Sequence, residues 1–204
     1  MKLYHFPSPN PQKVTFALKE LGLDCDLLPV NLAKGEQKSP EFLVVNPAGR
    51  TPVLVDGELT LSESQAILAY LGEKSGRLWP ATPAGRAEAL QWLFYLAQHI
   101  MPPTGDVALP LRSKVSGISY DQETAARGRK ALAAALPVVE SRLAAQKWLL
   151  GDAFSLVECA YCPVLNVADK AGFSFVDFPK TAAYLDAMRA RPAWKATPKL
   201  PFLE

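Results

Sequence analysis

Every strand-like run in this chain ends before residue 63. Residues 2–6 read as a short strand that stops at Pro7, and residues 26–32 read as a second. Residues 53–55 and 59–61 form a hairpin around Asp56-Gly57, a dipeptide that favours a tight primed turn. Between the first two strands Val14, Ala17, Leu18 and Leu21 recur at i, i+3, i+4, i+7, and Gly22 supplies a helix stop. Asn10 is placed to cap that helix, with Pro11 at its first position, where a missing N–H costs nothing. This β-α-β order requires a parallel pair joined by a right-handed crossover. A short helix over 40–45 and another over 64–74, closed by Gly76, complete a βαβαββα block.

Beyond residue 80 the pattern changes to alanine and leucine at helical spacing. Thr82-Pro83 opens a long helix with Ala87, Leu90, Phe94 and Ala97 on one face, expected to end near Pro102-Pro103. A loop is expected from Thr104 to Ser119, then a second long helix over 121–145. Ser155-Leu156-Val157-Glu158 is a capping box, with Phe154 placed as a staple. The helix that follows should be buried, since Leu156, Ala160, Val164 and Val167 are apolar, and Pro163 should bend it. A last helix spans 179–189. The linker Gly76 to Pro83 therefore separates an α/β domain, residues 1–77, from an all-helical one, residues 84–204.

Composition limits the partners. Hydrophobic residues at 49% and charged residues at 21% describe a globular protein with a core. A net charge of +2 without a basic block argues against nucleic acid or an anionic membrane. No apolar run nears the roughly 18 residues that span a bilayer, and the N-terminus lacks the apolar region of a signal peptide. Three cysteines make no disulfide framework, which points to a reducing cytoplasm. Two histidines, His5 and His99, are too scattered for a metal site, so no metal is expected.

Three punctuated stretches carry the chemistry: Ser8-Pro9-Asn10-Pro11 before a helix, Arg50-Thr51-Pro52-Val53 before a strand, and Leu61-Ser62-Glu63-Ser64-Gln65 before a second helix. Each leaves polar groups and backbone donors at the end of an element, where a small anionic molecule can reach them.

The whole arrangement resembles the cytosolic glutathione transferase family, a thioredoxin-like domain followed by a helical one. Thr51-Pro52-Val53 with Glu63-Ser64 resembles the family's glutathione-binding signature. The stretch Phe154 to Glu158 resembles its buried capping-box helix, with Glu158 where aspartate is commoner. Ser8-Pro9-Asn10 resembles the loop of the bacterial Nu class, which carries Thr-Pro-Asn there, and Theta-like enzymes also place a serine near this point.

The resemblance implies glutathione as co-substrate. Ser8 Oγ and the Asn10 amide are then the donors that stabilise the thiolate, Ser8 being preferred because Asn10 is also a cap. The bland alternative is that both residues only shape the turn. Thr51-Pro52 resembles the family's cis-proline, which would present the Val53 N–H and C=O to the ligand; a trans proline at a strand start is the alternative. Glu63 would take the γ-glutamyl amine and Ser64 the carboxylate, although a helix cap with an acidic neighbour explains both. Lys38 and Arg50, with help from Gln37, are candidates for the glycyl carboxylate, and strict correspondence favours Arg50.

Cys159-Ala160-Tyr161-Cys162 spells C-x-x-C, but it lies inside a helix rather than at the first strand–helix junction, so both cysteines read as packing residues. Tyr4, Trp92, Phe94, Tyr95 and Trp148 read as core. The acceptor pocket for a small hydrophobic electrophile is expected around residues 100–120, with Pro110, Leu111, Arg112 and Tyr120, and the C-terminal tail. Attack on an activated carbon gives conjugation and detoxification. Attack on a disulfide or peroxide gives reductase chemistry, and a non-catalytic scaffold or regulator is the remaining class. The family usually forms homodimers, which is the expectation here.

Overall fold

The computed structural model describes residues 1–117 and 119–199, apart from the side chains of residues 115 and 116. The first half contains β1 (Lys2–His5), α1 (Pro9–Leu21), β2 (Asp26–Pro29), α2 (Pro40–Val45), β3 (Val53–Asp56), β4 (Leu59–Ser62) and α3 (Ser64–Ser75). The sheet order is β2-β1-β3-β4. β1 and β2 are parallel, as a crossover through α1 demands, while β3 pairs antiparallel with both β1 and β4. This is the thioredoxin-like arrangement.

The second strand is shorter than its sequence pattern predicts. It ends at Pro29, and two 3-10 turns, Leu32–Lys34 and Glu36–Lys38, follow. Asn31 is the cause: its side chain accepts from the Lys34 N–H at 3.1 Å, and its own N–H donates to the Glu36 carboxylate at 2.6 Å. These local side-chain bonds replace the strand ladder.

The second half is helical: α4 (Pro83–Tyr95), a π-helical segment (Leu96–Ile100), α5 (Met101–Val107), α6 (Leu109–Ser116), α7 (Gln122–Ala145), α8 (Leu156–Lys170), α9 (Pro179–Arg189) and α10 (Pro192–Lys195). Two expectations are corrected. The helix does not stop at Pro102-Pro103, and the stretch expected as a loop from Thr104 contains α5 and α6. A proline ring collides with the carbonyl four residues back in a regular helix. Here the turn before the prolines widens, and the Met101 N–H reaches the Leu96 carbonyl, so the chain continues.

The expected apolar face of α4 is also corrected. Ala89, Trp92 and Leu93 are buried, whereas Leu90 is 39% exposed and Phe94 65% exposed. Phe94 is therefore not core. Trp92 and Trp148 are buried, Tyr95 donates to the Ala135 carbonyl at 2.7 Å, and Tyr4 packs edge-on against Phe42.

One apolar cluster runs through both halves, from Leu3, Phe16 and Leu68 to Leu93, Tyr161 and Met188. α1 and α8 pack together at its centre. Burying a side chain such as Phe16 contributes about 2–3 kcal/mol. Phe154 packs edge-on against Phe16 and Trp148, joining the start of α8 to α1. The capping box is formed: Glu158 accepts from the Ser155 N–H at 2.8 Å and also from the Leu149 N–H at 3.0 Å. Its extra methylene relative to aspartate lets it span both elements. α8 continues through Pro163 and buries nearly all of its length.

Candidate functional site

β1, β3 and β4 bring three chain segments to one end of the sheet. The register pairs Tyr4 with Val53 and Val53 with Ser62. The chain leaving β1 for Ser8, the chain entering β3 through Pro52 and the chain leaving β4 at Glu63 therefore emerge side by side. Residues far apart in sequence are gathered by strand register rather than by any local motif.

Ser8, not Asn10, is the N-cap of α1, and Pro9 rather than Pro11 is the first helical residue. Proline at the first turn loses nothing, because those N–H groups have no partner within the helix. Ser8 is extended (φ −101°, ψ 167°), and its hydroxyl makes no capping bond. Its carbonyl accepts from the Gln12 N–H at 3.0 Å. Pro9 and Pro11 together remove two N–H groups from the first turn, so Asn10 carries the backbone donor there. The Asn10 Oδ1 is buried without a hydrogen-bond partner. The capping duty expected of Asn10 is thus absent, and the Ser8 hydroxyl is uncommitted among the described residues.

The Thr51-Pro52 bond is cis. The turn before it is built by Asn46, whose amide donates to the Arg50 carbonyl at 2.8 Å and accepts from the Ala48 N–H at 3.1 Å. Gly49 has φ +59°, and a Cβ there would lie 2.8 Å from the Gln37 carbonyl oxygen, so this turn needs glycine. Lys38 leans over it, with Nζ 3.4 Å from the Ala48 carbonyl. Lys38 and Arg50 are exposed, and the buried Gln37 Oε1 has no partner.

Glu63 is the N-cap of α3 with φ +67°, a conformation that side chains rarely adopt, and its carboxylate makes no capping bond. Ser64 is buried, and its hydroxyl donates to Gln65 Oε1 at 2.9 Å. The Ser64 hydroxyl is thus engaged by its neighbour in this structure.

Sequence reasoning missed Lys13. It is fully buried in α1, with Nζ 3.0 Å from the Met101 sulfur of α5. Burial pushes its pKa down to about 7, against the opposing pull of Glu63. A lysine in an amphipathic helix is normally read as solvated, and the polar residues Gln12 and Thr15 beside it gave no signal of its burial. Burial also lowers the pKa of His5, which keeps that ring neutral.

Cys159 and Cys162 are buried in α8, and burial raises both thiols, so neither supplies a thiolate. Among the described residues no group of histidine, cysteine, aspartate or glutamate side chains could hold a metal ion. None of the described helices is long and apolar enough to cross a membrane. Pro110, Leu111 and Arg112 lie in α6, and Tyr120 precedes α7. The tail expected to help build the acceptor pocket lies outside the described residues from 200 onward.

Comparison with known proteins places this edge in context. Residues 1–73 match the family model for the glutathione S-transferase N-terminal domain, and residues 88–192 match that for the C-terminal domain. The chain is 36% identical to glutathione S-transferase 3 of Zea mays, with 97% of this chain and 92% of that protein covered. It is 34% identical to the disulfide-bond oxidoreductase YfcG of Escherichia coli, over 94% and 91% of the two chains. A glutathione transferase from Burkholderia graminis, solved with two glutathione molecules per subunit, superposes with a TM-score of 0.85 at 33% identity, covering 95% of this chain and 85% of that one. The chain belongs to the glutathione S-transferase family.

Proposed function

We propose that this protein is a glutathione transferase that binds glutathione along the edge formed by Ser8, Pro52 and Glu63 and activates its thiol for attack on small hydrophobic electrophiles. The observation that carries this reading is the Ser8 hydroxyl at the opening of α1, which makes no capping bond and follows the β1 strand whose Tyr4 pairs with Val53. A thiol has a reference pKa of about 8.5, and lowering it by about two units takes roughly 2.7 kcal/mol. A hydrogen bond to a charged acceptor contributes about 1.5–3 kcal/mol, so one or two donors suffice. Ser8 Oγ supplies one, and the Asn10 amide a second.

The remaining contacts follow the same logic. Val53 offers its backbone to the cysteinyl unit beside Thr51 and Pro52. Glu63 takes the γ-glutamyl amine, while the backbone N–H groups of Ser64 and Gln65 hold the carboxylate. Arg50 and Lys38 face the glycyl carboxylate. Residues 1–77 form the glutathione unit and residues 84–204 the acceptor unit. Thiolate attack on an activated aryl chloride forms the carbon–sulfur bond and releases chloride. Ultraviolet titration of bound glutathione tests the activation: a thiolate band rising well below the pH of the free thiol supports it, and absence of glutathione binding would overturn it.

The similarity to a disulfide-bond oxidoreductase favours a second reading, glutathione-dependent disulfide reduction. The active turn has serine where a redox protein would need cysteine, so any such cycle would use glutathione thiols alone. We further propose a homodimer in a reducing cytoplasm. The exposed Leu90 and Phe94 on α4 and the edge strand β4, with Leu59 exposed, are the apolar surfaces it would cover.

A further inference from the structure

Lys13 has three donor hydrogens and one hydrogen-bond acceptor, the Met101 sulfur at 3.0 Å. A thioether is a weak acceptor, and among the described residues no carboxylate or carbonyl oxygen bonds this ammonium. The same sulfur receives Gln65 Nε2 at 3.5 Å, and Gln65 Oε1 in turn receives the Ser64 hydroxyl at 2.9 Å. Lys13 of α1, Met101 of α5 and Gln65 of α3 thus form a continuous chain that ends at the first residues of α3. Burying a cation with so little compensation costs stability and adds nothing to packing that methionine or leucine would not.

The surrounding charges narrow the explanation. Glu63 caps α3; α8 carries Glu158, Cys159, Cys162, Asp169 and Lys170; α5 carries Asp106; α10 carries Lys195; His5 ends β1 and His99 precedes α5. Of these, Glu63 pulls the Lys13 pKa up, against the larger lowering by burial. The contacts from Lys13 through Met101 and Gln65 reach Ser64, beside the place where the ligand's γ-glutamyl end would sit.

We propose that Lys13 is a positioning residue of the glutathione site, a buried counter-charge behind the N-terminus of α3 that favours an anionic occupant there. This rests on the glutathione reading. Its consequence is linkage: with a pKa of about 7 the free protein is only partly protonated at Lys13 near neutrality, and a bound anion draws the proton on. Affinity is then greatest below that pKa and falls as pH rises through it.

S-methylglutathione is the probe, because it keeps both carboxylates and has no thiol to titrate. Calorimetry at pH 7.5 in two buffers of different ionisation enthalpy should show uptake of a fraction of a proton by the native protein. Its affinity should fall about tenfold from pH 6.5 to 8.5, the size of one partly screened charge interaction. Lys13→Met should show no uptake, bind about tenfold more weakly at pH 6.5, and converge with the native protein at pH 8.5. Lys13→Arg keeps the charge and should bind tightly with no uptake. Native binding without proton uptake, or equal affinity of Lys13→Met at pH 6.5, overturns the inference. If Lys13→Met fails to fold, the native uptake decides alone. Failure of the native protein to bind S-methylglutathione would instead overturn the glutathione reading.

Discussion

The Gln12 side chain, in the first turn of α1, donates to the Pro198 carbonyl at 3.0 Å, so the helix capped by Ser8 is tied to the segment after α10. Gln12 is buried, and its Oε1 has no partner. About two turns further along α1, Arg191 makes a two-point ion pair with Glu20 and lays its guanidinium 3.7 Å from the centre of the Phe154 ring. α1 is thus tied at two points to the segment that follows α9.

Gln12→Ala removes that tie. It should lower stability by about 1 kcal/mol, or roughly 2–4 °C in Tm for a chain of this length. Amide exchange in residues 193–199 should accelerate more than in β1. An unchanged melt with unchanged exchange would show that the bond holds nothing.

Ser8→Ala should raise the pKa that governs kcat/KM by about 1–2 units and lower kcat near pH 6.5 by about 10–100-fold. Since the Ser8 hydroxyl makes no capping bond, the melting temperature should barely move. Loss of stability in place of the pKa change would assign Ser8 a structural role.

Glu63→Gly separates backbone from carboxylate. Glycine accepts φ +67° without penalty, so stability should hold or rise by up to about 1 kcal/mol. The affinity for glutathione should nevertheless fall about 10–100-fold with the loss of the amine's acceptor. Equal glutathione affinity in the variant would remove Glu63 from the site.

Lys13 should also govern stability against pH. Its folded pKa of about 7 lies below the unfolded value of roughly 10.4. Between these the unfolded chain binds more protons, so this group's contribution to stability rises with pH. Its destabilisation is fully present below pH 7 and gone above about 10.4, on the order of 5 kcal/mol in all. Denaturant curves should show Lys13→Met more stable than the native protein at pH 7, with the gap closing by pH 10. A constant gap would contradict this.

Phe94→Glu places a charge on the exposed face of α4. It should shift the assembly toward monomer in sedimentation at micromolar concentration while leaving the fold intact. A native protein that sediments as a monomer would remove the dimer altogether.

Much of the chain was legible from residues alone. The confinement of strand patterns to the first third, the crossover forced by β-α-β order and the capping box at Ser155 are local signals, and local signals survive in sequence. So were the three punctuated turns, because prolines and small polar residues mark element ends by backbone chemistry. Where local rules compete, the reading slipped. Pro9 and Pro11 both suit a first turn, and which one opens α1 depends on how β1 delivers the chain. Pro102-Pro103 look like a stop, but a widened turn lets the helix pass because α5 is held against α7.

Tertiary structure alone decided the rest. Strand register brings Ser8, Pro52 and Glu63 to one edge, and no spacing along the chain encodes that. Burial on both sides of α1 turns Lys13 from an ordinary surface lysine into a desolvated cation against Met101. The face of α4 that packs inward is chosen by its neighbours, leaving Phe94 outside despite its hydrophobicity. Sequence specifies what each element is because hydrogen bonding and side-chain spacing act over a few residues. What an element's polar groups meet is set by packing between distant segments, and only the folded chain contains that information.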